Sequence, residues 1–234
     1  MNVSSLNIAP LTPVQLSGRS QSHLSEVFPG HYLHRDVVAP YLQLVDRASQ
    51  EGIALRLASG FRPFDRQLAI WNAKALGERP VLDNTGQAVA LGDMSERERV
   101  FAILRWSALP GASRHHWGSD MDIWDSASVS EHYRLQLTPG EYAVGGPFHS
   151  CSRFIDELIA NGETSFFRPY SGRQTDGVAE EPWHLSFRPL ASACEAGLTP
   201  EVVRELIANS DICLQGAILE NLDEIYSRFI AVRY

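Results

Sequence analysis

Two short segments, far apart in the chain, limit what this protein can fold into. In SDMDIW (119–124), Met121 and Ile123 fall on one face of an extended backbone and Asp120 and Asp122 on the other. In PWHLSF (182–187), Trp183, Leu185 and Phe187 share one face, and His184 and Ser186 take the opposite one. Alternation of period two predicts half-buried strands, each needing a strand partner and an apolar cover. Both polar faces carry groups that can ligate a metal or move a proton, so the same segments mark the place to look for chemistry.

Other periodicities supply the cover. Residues 36–50 place Val37, Tyr41, Leu44, Val45 and Ala48 at helical spacing, with Pro40 expected in the tolerant first turn and Gly52 as the stop. IALRLASG (53–60) alternates Ile53, Leu55 and Leu57, as a strand does. FDRQLAIWNAKALG (64–77) reads as a helix with Phe64, Leu68, Trp71 and Ala75 on one side and Gly77 as its end. Ser95 and Glu98 form a capping box ahead of Val100, Ile103 and Leu104. FHSCSRFIDELIANG (148–162) is a further helix, residues 79–93 read as a polar loop, and the tail from Thr199 reads as two helices broken near Asn209–Asp211. Strands and helices mix without a βαβ rhythm, which predicts an α+β fold with an antiparallel sheet. The expected organisation is an extended N-terminal arm (1–22), one domain (23–195) and a helical extension packed on it (196–234).

Composition excludes several classes. With 20 Lys and Arg against 28 Asp and Glu, the net charge is −8, unsuited to neutralising phosphates, so no nucleic-acid partner is expected. No apolar run reaches the roughly 20 residues of a membrane span. The start lacks a basic segment and an apolar core; read as a native start, it predicts a cytoplasmic protein, and a periplasmic one if a leader has been removed. Cys151, Cys194 and Cys213 are widely spaced and odd in number, which argues against a disulfide framework or a thiolate zinc site. Gly145-Gly146 lacks a phosphate-loop lysine, and no Gly-x-Ser-x-Gly elbow occurs.

His115, Asp122 and His184 would together offer two imidazoles and one carboxylate, a set that leaves one position open on a tetrahedral zinc. The spacing of His115 and Asp122 alone fits a hydrogen-bonded His and a solvated Asp equally well. His116 is an alternative ligand to His115, and Glu180 an alternative to Glu181 as an acid near His184. Asp120 shares a face with Asp122 and could orient a ligand. Trp117 could stack on a substrate or pack in the core. His31 and His34 could pair on a helix turn, with no third ligand near in sequence.

The wider context resembles a known family. SRHHWGSDMD (113–122) is similar to the Ser-x-His-x-x-Gly-x-x-x-Asp motif of VanY-type D-alanyl-D-alanine carboxypeptidases, of the LAS group of zinc metallopeptidases. EPWH (181–184) resembles that family's Glu-x-Trp-His motif. SGFRPFDRQ (59–67) resembles its Ser-Gly-Tyr-Arg segment followed five residues on by Gln, and FFRPY (166–170) a further segment. The likeness covers about residues 50–190. It implies an LAS-type α+β fold with helices flanking a zinc cleft, and Zn2+ on His115, Asp122 and His184. It also implies Glu181 as general base, catalytic and substrate contacts from Arg62, and substrate contacts from Gln67 and Ser113. The implied partner is a peptidoglycan stem peptide or muropeptide, cut near its C-terminus. L,D-carboxypeptidase or endopeptidase action, or zinc-stabilised muropeptide binding without cleavage, are the alternatives. Two departures touch substrate preference: Asp120 stands where the family commonly has Ala, and Phe61 replaces Tyr.

Overall fold

The computed structural model describes residues 9–83, 86–172 and 176–231. A short helix α1 (Pro13–Leu16) leads into a hairpin of β1 (Leu24–Phe28) and β2 (His31–His34), followed by α2 (Arg35–Gln50), β3 (Leu55–Ser59) and α3 (Phe64–Ala75). Next come α4 (Glu96–Leu104), a 3-10 turn (Arg114–Trp117), β4 (Asp120–Asp125), α5 (Pro139–Tyr142) and α6 (His149–Ala160). Strands β5 (Phe166–Phe167) and β6 (His184–Phe187) precede the helices α7 (Arg188–Gly197), α8 (Pro200–Ala208), α9 (Gln215–Glu220) and α10 (Leu222–Ile225), and a π turn over Tyr226–Ile230. Beside the hairpin stands a four-stranded antiparallel sheet of order β3-β4-β6-β5. This is an α+β architecture of antiparallel sheets with flanking helices.

The alternation in the sequence becomes the two faces of this sheet. Leu55 and Leu57 of β3, Met121 and Ile123 of β4, and Leu185 and Phe187 of β6 are buried in the main apolar core with Val37, Tyr41, Leu44 and Trp71. The β4–β6 register sets Asp122 opposite His184 and Asp120 opposite Ser186, so the polar faces of the two predicted strands coincide. Directly opposed residues of an antiparallel pair stand roughly 5 Å apart at Cβ, and sheet register alone therefore brings one acid and one imidazole together.

Some local expectations change. Residues 9–22 are not a plain extended arm: Thr12 caps α1 with a full capping box, and Leu16 and Ser17 are buried; residues 1–8 lie outside the described set. Pro40 lies inside α2, beyond its first turn, because the His34 Nδ1 accepts from the Asp36 N–H and starts the helix at Arg35. His31 and His34 sit on strand β2 rather than on a helix. Trp183 precedes β6 and leaves the face of Leu185 to join Tyr142 and Phe148 in a separate aromatic cluster. The Ser95–Glu98 capping box forms as the spacing predicts. In the tail, α8 ends at Ala208, and the following helical stretch divides again at Asn221; Val203, Ile207, Ile218, Leu222 and Ile225 are buried in the main core. The three cysteines are free. Among the described residues, no helix is long and apolar enough to cross a membrane.

Candidate metal and catalytic centre

The centre is assembled from three places in the fold. Asp122 and His184 come from paired strands. His115 comes from the 3-10 turn that feeds β4, and that turn closes on Gly118, whose φ of 69° is left-handed. Tight packing fixes the turn beneath the hairpin: the His34 N–H donates to the Gly118 carbonyl (2.9 Å), and the Arg62 N–H to the His115 carbonyl (3.1 Å). A Cβ on Gly118 would stand 2.6 Å from the His34 nitrogen, and one on Gly60 would stand 2.5 Å from the Tyr32 carbonyl. The glycines of two separate motifs are thus the places where β2 lies against the walls of the site.

His115, Asp122 and His184 are buried, and each offers a ligand atom within 4.8 Å of the others. His115 Nε2 is 3.5 Å from Asp122 Oδ2, and His184 Nδ1 is 3.1 Å from Asp122 Oδ1. Zinc–ligand bonds of about 2.0–2.1 Å in a tetrahedral arrangement put donor atoms roughly 3.3 Å apart, so these separations suit such an ion. The outer nitrogens are already engaged. His115 Nδ1 bonds the Gly60 carbonyl (2.8 Å), and His184 Nε2 bonds Asp120 (2.8 Å). Each imidazole therefore turns its remaining nitrogen toward Asp122.

The charges favour a cation. Burial works against ionised Asp122, but His115, His184 and Arg62 around it hold its pKa below the usual carboxylate range. Burial likewise disfavours a charged His184, yet hydrogen bonds to Asp120 and Asp122 drive its pKa up to about 10. Two carboxylates thus compete to place positive charge on this ring, and a divalent ion on its Nδ1 side would supply that charge. Burial lowers the His115 pKa to about 4, leaving its imidazole neutral and able to ligate. The donor set fits zinc in number, chemistry and spacing.

Glu181 approaches from the turn before β6, where the His184 N–H bonds the Glu181 carbonyl (3.0 Å). Its Oε2 lies 3.5 Å from His184 Nδ1, and burial raises its pKa to about 7. Glu180 is exposed and lines a different depression. His116 is buried with both nitrogens facing backbone, the Gly111 N–H (3.1 Å) and the Arg62 carbonyl (2.6 Å), so of the two adjacent histidines it is His115 that turns a nitrogen toward Asp122. Trp117 packs in the core at 1% exposure rather than facing a substrate.

A cleft of about 310 Å³ opens over these groups, lined by Arg62, Ser113, His115, Asp122, Glu181 and His184 among others. Arg62 Nη1 donates to Gln67 Oε1 (2.9 Å) and Nη2 to Ser59 Oγ (3.3 Å). Gln67 departs from its expected substrate contact. It is fully buried, its Nε2 donates to the Ala108 carbonyl (2.7 Å), and it braces Arg62. Ser113 lines the cleft with a buried Oγ that has no partner among the described residues.

Three cleft residues were not singled out by sequence reasoning. Tyr170, the last residue of FFRPY, sets its ring 4.9 Å from that of His184. Lys74 reaches the cleft from the end of α3 and donates to Ser107 Oγ (2.6 Å). Arg114 is buried behind Asp120. Tyr170 and Arg114 carried a signal, their places in recognisable segments; helical periodicity gives no hint that Lys74 turns inward.

Comparison with known proteins agrees with this geometry. The chain matches the VanY D-alanyl-D-alanine carboxypeptidase family over residues 30–190. It is 33% identical over 123 residues to an uncharacterized protein of Haemophilus influenzae, covering 52% of this chain and 92% of that one. It is 27% identical over 159 residues to a D-alanyl-D-alanine carboxypeptidase of Enterococcus faecalis, covering 67% of this chain and 48% of that one. Among solved structures, VanYB in complex with D-alanine-D-alanine superposes with a TM-score of 0.53 at 22% identity, covering 86% of this chain and 94% of the other. A variant of the vancomycin-resistance D,D-pentapeptidase VanY in complex with Zn(II) gives 0.51 at 22% identity, covering 85% and 92%. At that identity the superpositions establish the fold. The family match covers most of the chain and spans every residue of the candidate centre. The chain belongs to the VanY D-alanyl-D-alanine carboxypeptidase family.

Proposed function

We propose that the protein is a zinc-dependent carboxypeptidase that hydrolyses a peptide bond near the C-terminus of peptidoglycan stem peptides of the D-Ala-D-Ala type. The observation that carries this reading is the convergence of His115, Asp122 and His184 within 4.8 Å, with Glu181 beside them. His115 Nε2, an Asp122 oxygen and His184 Nδ1 would hold the ion. Zinc, when bound there, lowers the pKa of water toward neutrality and polarises a carbonyl.

The chain's own groups supply the rest. Glu181, a buried carboxyl whose pKa lies above the usual carboxylate range before an ion binds, would be ionised by the added positive charge, accept a proton from the attacking water and return it to the leaving amine. Arg62 binds the terminal carboxylate or the developing oxyanion; Gln67 and Ser59 hold its guanidinium in one orientation, so little ordering remains when substrate enters. The Ser113 hydroxyl, otherwise unpartnered, is available to a substrate amide or carboxylate. The Tyr170 ring covers one side of His184 and limits water there.

The test uses synthetic stem tetra- and pentapeptides, read by mass spectrometry, with metal analysis of the same samples. Wild-type protein should bind one zinc and release a single C-terminal residue. Glu181→Gln should keep the zinc and lose roughly 10²–10⁴-fold in turnover. Internal cleavage would indicate an endopeptidase, and binding without cleavage a non-catalytic module. Full activity in Glu181→Gln would refute the assigned proton transfer.

A further inference from the structure

Behind the ligand His184 lies a group of buried charges that peptide hydrolysis does not use directly. Asp120 is completely buried on β4, where the resemblance expects Ala. Its Oδ2 is 2.8 Å from His184 Nε2 and 2.7 Å from Arg114 Nε. Its Oδ1 accepts from Ser186 Oγ (2.8 Å) and from the Ser119 hydroxyl. Arg114 is clamped in turn: Nη2 donates to Ser186 Oγ (2.7 Å) and Nη1 pairs with Glu195 of α7. Every oxygen of Asp120 is therefore engaged, and the carboxylate cannot rotate away from the imidazole without breaking several charge-assisted bonds.

The orientation of His184 follows from this. Both ring nitrogens face carboxylates, but an ion held by Asp122 displaces only the proton on Nδ1; the Nε2 proton stays with the fixed carboxylate of Asp120, which leaves the Nδ1 lone pair for the metal. Nδ1 is the atom that faces Asp122 and Glu181. Cross-strand register places the Cβ of His184, but it does not choose between the two ring nitrogens; a side chain on the far side of the ring does.

We propose that Asp120, held by Arg114 and Glu195, is a positioning residue that fixes His184 with Nδ1 toward the metal. The inference rests on the metal-site reading above and adds a residue outside the ligand set. A carboxylate in this place strengthens the imidazole as a donor as well as orienting it, and loss of such partners weakens metal binding roughly 10–100-fold.

The experiment measures Zn(II) affinity of the full chain by competition with a chromophoric chelator, for wild type, Asp120→Ala, Asp120→Asn and Asp120→Leu. In parallel, long-range 1H–15N spectra assign the His184 tautomer in the zinc-loaded wild type. Asp120→Ala should bind zinc roughly 10–100-fold more weakly. Asp120→Asn keeps an acceptor for the Nε2 proton and should recover most of that loss, whereas Asp120→Leu, which fills the space without an acceptor, should not; recovery in both would mark a merely space-filling role and overturn the proposal. The wild-type spectrum should show the proton on Nε2 and the metal on Nδ1. Unchanged affinity in Asp120→Ala, or a metal on Nε2 in the wild type, overturns the proposal while leaving the metal site standing. Absence of zinc binding by the wild type overturns the site itself. The tautomer is read on the unaltered protein, so it decides the matter even if Asp120→Ala fails to fold.

Discussion

Replacing Gly118 with Ala should cost about 3 kcal/mol, and the figure can be built from separate causes. Gly118 has φ of 69°, a conformation that costs a residue with a Cβ roughly 1–2 kcal/mol. The new methyl would also lie 2.6 Å from the His34 nitrogen and 2.7 Å from Leu24 Cδ2. The Leu24 methyl can turn aside, but the backbone neighbour cannot yield cheaply. The His34 nitrogen is backbone, bonded to the Gly118 carbonyl at 2.9 Å, and Leu33 beside it is fully buried. Overpacking of this kind costs about 1–3 kcal/mol. Stiffening of the unfolded chain returns roughly 0.4–1 kcal/mol. Gly162→Ala is the internal control: its φ is 66°, but nothing lies within 4 Å of its would-be Cβ, so only the backbone cost applies, about 1 kcal/mol. For a chain of this size, 1 kcal/mol moves Tm by about 2–4 °C, so Gly118→Ala should melt roughly 6–12 °C lower and Gly162→Ala about 2–4 °C lower. Urea titrations of the three proteins with a common m-value would give the free energies directly. Equal losses in the two variants would refute the argument that the hairpin is seated against this turn.

Two further outcomes follow from the same structure. His23 is 3% exposed, and burial together with neighbouring His34 and Arg35 lowers its pKa to about 4, with the His116 carbonyl opposing; a folded pKa below the unfolded value near 6.5 means its contribution is complete above pH 6.5 and fades as pH falls toward 4, so His23 by itself should account for a loss of up to about 2 kcal/mol between pH 7.5 and 5, added to what the other buried histidines contribute. Urea melts at both pH values should show this slope flattened in His23→Phe, and an unchanged slope would rule His23 out as its source. Zinc at 100 times its Kd should stabilise the metal-free protein by about 2.7 kcal/mol, with the gain abolished by chelator and absent in Asp122→Ala; a melting temperature indifferent to zinc would count against the metal site.

Much of this molecule was legible in its residues. Alternation in SDMDIW and PWHLSF announced β4 and β6, because a strand with one buried face must repeat every second residue. Helical spacing found α2, α3 and α6, the Ser95–Glu98 pair found the start of α4, and the motif order located the candidate ligands and Glu181. These signals are local, and each depends on which side chains a few consecutive residues can bury or cap. Gln67 shows where such reasoning stops: its place on α3 was clear, but whether its amide met substrate, solvent or Arg62 depended on Ala108, far along the chain. The inward turn of Lys74, the departure of Trp183 to a second cluster and the burial of Leu16 have the same character. Asp120 is the sharpest case. Its identity and face could be read from period two, whereas its grip on His184 arises from the Asp120–Ser186 and Asp122–His184 register and from Arg114 reaching Glu195 on α7. Periodicity states which face a side chain takes; what waits for it there is settled by packing between segments that share no sequence neighbourhood, and those contacts exist only once the chain has closed on itself.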